Sequence, residues 1–517
     1  MINTLADITR THRAERPDEI ALRVPHKRDW TFAQLDTDAC ICANALRNAG
    51  ISEGGRIAFL ARNEPEFFLY LYGGAKLGAV SVAVNWRLTH PEMEYILNHS
   101  EAEILLVGEE YLGHLKQMNL NLNQVVVLGD SGDSGYPTWD QWLSGHGSED
   151  IVVDIDTEDT CFQLYTSGTT GLPKGVETTH ANLITMMSQG QKARSFSTTS
   201  ISLACMPLFH ISGSAWVVLS QYSGCRSVLL RDVDLDNITR VIETERVTHC
   251  IFVPAILQRF ATVPGIEDID FSSLQIVCYG ASPVTEEVLV TAMRLFNADF
   301  SQGYGLTETT GGVTMLSPDD HDPGGERAGL LRSCGNAIDN HEIRIVNPDT
   351  GEDMPGSEVG EIWIRGPQVM KGYWRNPEAT SEAIDADGWF KSGDVGYMID
   401  RYLYIHDRVK DMIISGGENI YPAEIENALM KHPGIGDAAV VGVPSERWGE
   451  TVKAIITRGD DTLTEEGVIS FCRQQLAHYK CPTSVDWMNE IPRNPSGKLL
   501  KAALRKPYWE GKDRNVS

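Results

Sequence analysis

Helix-length segments alternate with short apolar runs through the first part of this chain, and that alternation most constrains what it can fold into. Thr31 to Ala49 has a helical pattern and is followed by Gly50, a favoured residue just past a helix end. Arg56 to Arg62 predicts a buried strand, Pro65 to Leu77 a helix and Ala79 to Val84 a strand. His90 to Asn98 predicts a helix and Ala102 to Val107 another strand. Helices inserted between short apolar strands lead to parallel α/β units. The alternation resumes near Asp159 and runs towards Met315. From Gly335 the texture changes. Glu342 to Val346 and Gly360 to Arg365 read as strands joined by Asn, Asp, Pro and Gly turns, the pattern of a β-rich subdomain.

Further on, Tyr402 to Ile405 and Asp411 to Ile414 read as strands flanking a polar break at Asp407 to Lys410. A helix is expected from Pro422, a favoured first helical position, to before Pro433, and a strand from Asp437 to Val443. Thr464 is placed to cap a later helix, with Glu465 and Glu466 in its first turn. The expected fold class is α/β. A large N-terminal domain of α/β subdomains plus a β-rich subdomain spans residues 1–409, and a small α+β C-terminal domain spans 410–517.

The chain has 517 residues, 42% hydrophobic and 22% charged, enough for a large core in about three domain-sized units. Its formal net charge of −27 repels nucleic-acid phosphate over most of the surface, so no nucleic-acid partner is expected. Met1 to Ile20 carries Asp7, Arg10, Arg13, Glu15 and Asp18 and lacks the apolar run of a secretory signal. Phe67 to Val84 is apolar but broken by Gly73, Gly74, Lys76 and Gly78, so it reads as core and no integral membrane span is expected. Ten cysteines are scattered without a Cys-x-x-Cys pair, which fits buried thiols in a reducing cytoplasm.

Four segments carry chemistry. Tyr165-Thr-Ser-Gly-Thr-Thr-Gly-Leu-Pro-Lys-Gly175 follows an apolar strand pattern, Cys161 to Tyr165. Small residues expose backbone N–H groups, and hydroxyls with Lys174 add donors, as a polyphosphate cradle requires. It is not a Walker loop, because Lys174 sits between Pro173 and Gly175. By composition alone it also reads as a surface loop. Gln302-Gly-Tyr-Gly-Leu-Thr-Glu308 reads either as a turn with a core tyrosine or as a site. In the second reading Tyr304 offers an aromatic face, Thr307 a donor to phosphate and Glu308 a hard oxygen for Mg²⁺. In Lys391-Ser-Gly-Asp394 and Asp407-Arg-Val-Lys-Asp411, Asp394 and Arg408 belong to a nucleotide site or to a salt-bridged surface hairpin. Pro492-Arg-Asn-Pro-Ser-Gly-Lys498 presents Lys498 either for catalysis or to solvent.

In this order and over this length, the four segments resemble the adenylate-forming superfamily, which includes acyl-CoA synthetases, peptide-synthetase adenylation domains and firefly luciferase. Thr166-Ser-Gly-Thr-Thr-Gly-x-Pro-Lys-Gly175 is the most specific of them. Asp411-Met-Ile-Ile-Ser-Gly-Gly-Glu-Asn-Ile-Tyr-Pro422 is similar to bacterial fatty-acyl-CoA ligases. The resemblance implies a two-step ligase of fatty acid metabolism with ATP and CoA as co-substrates and Mg²⁺ as cofactor. A carboxylic acid and ATP give acyl-AMP and pyrophosphate, then the CoA thiol displaces AMP.

By that resemblance, Thr166, Ser167, Gly168, Thr169, Thr170 and Lys174 hold the phosphates, and Gly280 and Ala281 border the adenine. Gly303, Tyr304 and Gly305 continue the nucleotide site, with Tyr304 stacked on the base. Thr307 touches the α-phosphate, Glu308 with Thr166 serves Mg²⁺, and Asp394 and Arg408 hold the ribose. Lys498 bridges the attacking carboxylate and the α-phosphate. Lys410 is the hinge of a mobile C-terminal domain, and Ser415, Gly416 and Gly417 line the CoA tunnel. Met206-Pro-Leu-Phe-His-Ile-Ser-Gly213 lines the acid site, with His210 either a gate or a core histidine. Amino-acid-activating relatives carry Asp at that position, so an apolar acid is expected. Trp216, Val253, Pro254 and Ile256 are candidates for the tunnel wall or for core. A monomer or homodimer is implied. Transfer of the acyl group to a carrier protein, and a non-catalytic nucleotide-binding protein of the same fold, are the alternatives.

Overall fold

In the computed structural model the described residues are 2–166, 172–261, 263–281, 284, 286–347, 350–408, 413–416, 418–420, 422–460, 462–492 and 501–510. Among them the strands assemble four sheets. The second helix shows how local sequence sets the elements. Thr31 accepts the Gln34 N–H and Gln34 answers to the Thr31 N–H, a capping box that starts Phe32–Asn48. Such a cap contributes about 1 kcal/mol.

Strands Gln124–Leu128, Ala102–Gly108, Arg56–Leu60, Val80–Ala83 and Thr160–Thr166 lie parallel, and Lys174–Thr179 and Gly372–Tyr373 extend that sheet antiparallel. A second sheet has a parallel centre of Ile20–Val24, Arg226–Leu229, Ile201–Ala204, His249–Phe252, Ile276–Gly280 and Asp299–Leu306. Helices Phe32–Asn48, Glu66–Ala75, His180–Ala193 and Ile211–Tyr222 share one core with residues of both sheets, among them Phe59 and Leu106 from the first and Leu22 and Leu229 from the second. The two sheets therefore face each other across a common helical layer.

The β-rich part expected after Gly335 is an antiparallel sheet of Glu342–Val346, Gly360–Arg365, Phe390–Ile399 and Tyr402–Arg408. The polar break expected at Asp407 to Lys410 begins later than its polarity suggests. The strand continues through Asp407 and Arg408, because Arg408 pairs with Asp394 on the neighbouring strand. A fourth sheet starts at Ile413–Ser415 and includes Glu418–Ile420, Ile435–Ser445, Gly449–Arg458 and Ser484–Trp487. Helices Pro422–Leu429 and Glu465–Gln475 cover it, the second capped by Thr464. The change of sheet falls between Arg408 and Ile413. Among the described residues, no helix is long and apolar enough to cross a membrane. All ten cysteines are buried and free.

Candidate active site

The phosphate-binding candidates sit where the first sheet turns back on itself. Thr166 ends one strand and Lys174 opens the next, directly opposite it. Ser167, Gly168, Thr169 and Thr170 lie outside the described residues. A short turn, Thr307–Thr309, follows the last parallel strand of the second sheet and brings in Glu308. Glu308 is buried, and its Oε1 accepts from the Thr166 hydroxyl at 3.2 Å and from the Tyr373 hydroxyl at 3.0 Å. Lys174 Nζ lies 4.8 Å from the Tyr373 ring centre, a cation–π distance. Thr166, Lys174 and Glu308 are thus brought together from three strands' ends. A carboxylate beside a hydroxyl is a hard oxygen pair, the donor chemistry that Mg²⁺ takes.

Tyr373 was not legible in the sequence. Its place depends on pairing of Gly372–Tyr373 with Glu177 and Val176, a contact nearly two hundred residues apart that no local pattern signals.

At the nucleoside end, Gly280 closes strand Ile276–Gly280 opposite Gly303, and Ala281 follows with φ of +66°. Gly305 leaves no room for a side chain, since a Cβ there would overlap the Gly311 carbonyl oxygen. The Tyr304 hydroxyl donates to Asp394 Oδ2 at 2.8 Å, with both residues buried. Burial takes Asp394 off the surface, although Asp394 does stand in the hairpin of Phe390–Ile399 and Tyr402–Arg408. It also gives Tyr304 the packing of a core tyrosine, against Val176 and Val313, with its hydroxyl committed to a candidate ribose ligand. Arg408 lies across the strand from Asp394. Lys498, Lys410 and Gly417 lie outside the described residues.

A cavity of about 700 Å³ connects the two halves of the chain. Thr166, Ala281, Gly305, Thr307 and Glu308 line one part of it, and Ser415, Gly416 and Trp448 another. Met206, Phe209, Ile211, Val233, Val253 and Ile256 give it an apolar wall. Gly416 has φ of +60°, and a Cβ there would lie 2.8 Å from the Trp448 ring. Two tunnel candidates belong elsewhere. Trp216 is core, buried against Phe196 with its indole N–H on the Leu203 carbonyl, and Pro254 opens helix Pro254–Phe260 without lining the cavity.

His210 caps helix Ile211–Tyr222 and faces this cavity. Of its side-chain area 45% is open, so it is not a core histidine, but the opening is the cavity rather than bulk surface. Burial by surrounding protein, then the Arg87 charge, push its pKa down to about 4. Nε2 is 3.2 Å from Glu418 Oε2, and since a carboxylate only accepts, Nε2 is the donor of that contact. The other oxygen of Glu418 accepts from Arg87. His210 and Arg87 thereby meet a residue of the C-terminal sheet.

Residues 9–374 match the family model described as AMP-binding enzyme, and residues 424–498 that described as AMP-binding enzyme C-terminal domain. The chain is 35% identical over 524 residues to the fatty acid–[acyl-carrier-protein] ligase ScoC of Streptomyces coeruleorubidus, covering 100% of this chain and 98% of the relative. It is 36% identical over 481 residues to the long-chain-fatty-acid–CoA ligase FadD13 of Mycobacterium tuberculosis, covering 92% and 93%. The amide bond synthetase McbA from Marinactinospora thermotolerans has the same architecture, with a TM-score of 0.88 at 26% identity over 98% of this chain and 99% of that one. The match of both family models, with relatives at 35–36% identity over nearly the whole chain, leads to one statement: this chain belongs to the AMP-binding enzymes, the adenylate-forming acid ligases.

Proposed function

We propose that this enzyme joins an apolar carboxylic acid to CoA, converting acid, ATP and CoA to acyl-CoA, AMP and pyrophosphate through an acyl-adenylate. The observation that carries the proposal is the single cavity walled by Thr166, Thr307 and Glu308, by the apolar segment around Phe209, and by Ser415 and Gly416. A carboxylate is a poor acyl electrophile, because it is anionic and its leaving group would be oxide. Adenylation supplies a competent leaving group, but it brings a carboxylate against a triphosphate. Cations must therefore converge there.

In this reading Thr166 to Thr170 and Lys174 hold the β- and γ-phosphates, and Thr307 meets the α-phosphate. Gly280, Ala281, Gly303, Tyr304 and Gly305 bound the nucleoside, and Asp394 and Arg408 hold the ribose. Glu308 and Thr166 would hold Mg²⁺, which neutralises phosphate charge when bound. Lys498 joins the attacking carboxylate to the α-phosphate and stabilises the developing charge. Lys410 is the hinge at the boundary of domains 1–409 and 410–517. Ser415, Gly416 and Gly417 guide the thiol, where small residues let backbone approach a slim ligand. His210 guards the passage between acid and thiol.

The apolar wall and the absence of an acidic residue after Phe209 favour a fatty or similar acid over an amino acid, whose ammonium would be left unpaired. Similarity to FadD13, a long-chain-fatty-acid–CoA ligase, supports fatty acid metabolism. Ten free, buried thiols support a reducing cytoplasm. A second acceptor has one specific observation behind it, the full-length similarity to ScoC, whose name gives a carrier protein as acceptor. The test is pyrophosphate release over a panel of short, medium and long fatty acids, benzoates and amino acids. Each is run alone, with CoA and with a holo carrier protein. Acid-dependent release accelerated by CoA, with AMP and acyl-CoA as products, supports the proposal; acceleration by carrier protein alone transfers it to the second acceptor.

A further inference from the structure

The C-terminal sheet meets the rest of the molecule through a buried charge cluster whose lysine, Lys480, reaches the cavity lining and whose carboxylates, Glu92 and Glu424, lie outside it. Lys480 Nζ lies 2.7 Å from Glu92 Oε1 and 2.8 Å from Glu424 Oε1, and all three residues are buried. Glu424 belongs to the C-terminal helix Pro422–Leu429, whereas Glu92 belongs to helix His90–His99, packed on the first sheet. Glu92 Oε2 also accepts from the Ala477 N–H at 3.0 Å and from Thr89, whose own hydroxyl lies 3.2 Å from the Gln475 carbonyl. Ala477 is buried in the same apolar cluster as Met93 and Leu97. Residues 475–480 therefore plug into the N-terminal part through one ammonium, one carboxylate and one backbone N–H.

We propose that Lys480, through Glu92, is a positioning residue that docks the C-terminal sheet in the one register where Gly416 completes the cavity. This rests on the reading that the cavity serves thiol transfer. Two features support it. A single carboxylate neutralises a lysine, so Glu424 alone would satisfy Lys480 inside its own domain. The second carboxylate, Glu92, comes from across the seam, so Lys480 gains it only when the two parts are docked. In addition, an apolar seam tolerates sliding, whereas a buried ammonium has partners in only one alignment, and losing one partner is costly. Burial opposes the Lys480 charge, but Tyr479, Glu424 and Glu92 together outweigh it and keep the ammonium protonated. Burial raises Glu92, but Lys480 and the hydrogen bonds from Thr89 together lower it by more, so Glu92 stays ionised.

The test uses the full chain with Lys480→Met and Glu92→Gln, read by two independent measurements. The first is amide hydrogen exchange across residues 475–480 and 90–99. The second compares acid-dependent pyrophosphate release without CoA against acyl-CoA formation. We expect exchange at Ala477 to rise about tenfold or more and acyl-CoA formation to fall about tenfold to a hundredfold. Pyrophosphate release without CoA should stay within about twofold of the parent enzyme. Unchanged protection in both variants would overturn the proposal, as would an equal fall of both half-reactions. Glu92→Gln keeps an acceptor for Ala477 and leaves the C-terminal domain's own Lys480–Glu424 pair intact, so it stays informative if Lys480→Met fails to fold. If the parent enzyme makes no acyl-CoA with any acid, the acceptor reading fails, and the exchange measurement still decides docking.

Discussion

At the scale of single residues, the site depends on groups whose chemistry is plain in the sequence but whose partners are not. Glu308 could be singled out as a hard oxygen, yet the hydroxyls of Thr166 and Tyr373 that fix it come from distant strands. Glu308→Gln keeps the size and an acceptor oxygen while removing the charge. It should lower acid-dependent pyrophosphate release by about a hundredfold with little change in melting temperature, measured by initial rates and calorimetry. Full activity in that variant would remove Glu308 from the site. Tyr304 makes the converse case. Its ring packs in the core and its hydroxyl serves buried Asp394, so Tyr304→Phe takes one donor from a buried carboxylate. Denaturant unfolding should show a loss of about 1–3 kcal/mol, with a raised KM for ATP. No change in either would mean that the Asp394 contact is idle.

At the scale of elements, the parallel units of the first part were legible because their strands are short apolar runs buried on both faces and helix-length segments separate them. Periodicity reports both patterns directly. The end of strand Tyr402–Arg408 was not legible, since its charged residues are retained by pairing with Phe390–Ile399 rather than by burial of apolar side chains. The same limit hid Lys480 and Glu92. Each looks like an ordinary surface charge in its own helix or turn, and only the packing of two domains buries them. The turn between Ile413–Ser415 and Glu418–Ile420 gives a prediction at this scale. Gly416→Val would push a side chain into the Trp448 ring from a left-handed backbone position. Acyl-CoA formation should fall by about tenfold or more while pyrophosphate release without CoA persists, as rapid-quench assays would show. Equal activity in both steps would place the thiol path elsewhere.

At the scale of the whole molecule, stability is tied to pH through buried neutral histidines. Burial, against the weaker pull of Asp159 and Asp7, pushes His180 down to about 4. Burial likewise pushes His249 down to about 4, opposed by its hydrogen bond to the Arg194 carbonyl. Unfolding restores an ordinary value near 6.5, so between about pH 6.5 and 4 the unfolded chain binds more protons. Stability is therefore full above pH 6.5 and is lost as pH falls towards 4, by roughly 3 kcal/mol for each histidine. Urea midpoints at several pH values check this, and the fall should be shallower in His180→Gln. A midpoint that does not move between pH 7 and 5 would contradict it.

The central claim is that one cavity activates an acid at its Glu308 side and delivers a thiol at its Gly416 side. Rapid-quench analysis of the parent enzyme with ATP and a fatty acid, first without CoA and then after its addition, tests this most directly. Enzyme-bound acyl-AMP should accumulate in amounts close to the enzyme concentration and be converted to acyl-CoA and AMP once CoA is added. Acyl-AMP that never forms, or that forms and ignores CoA while a holo carrier protein consumes it, would contradict the claim.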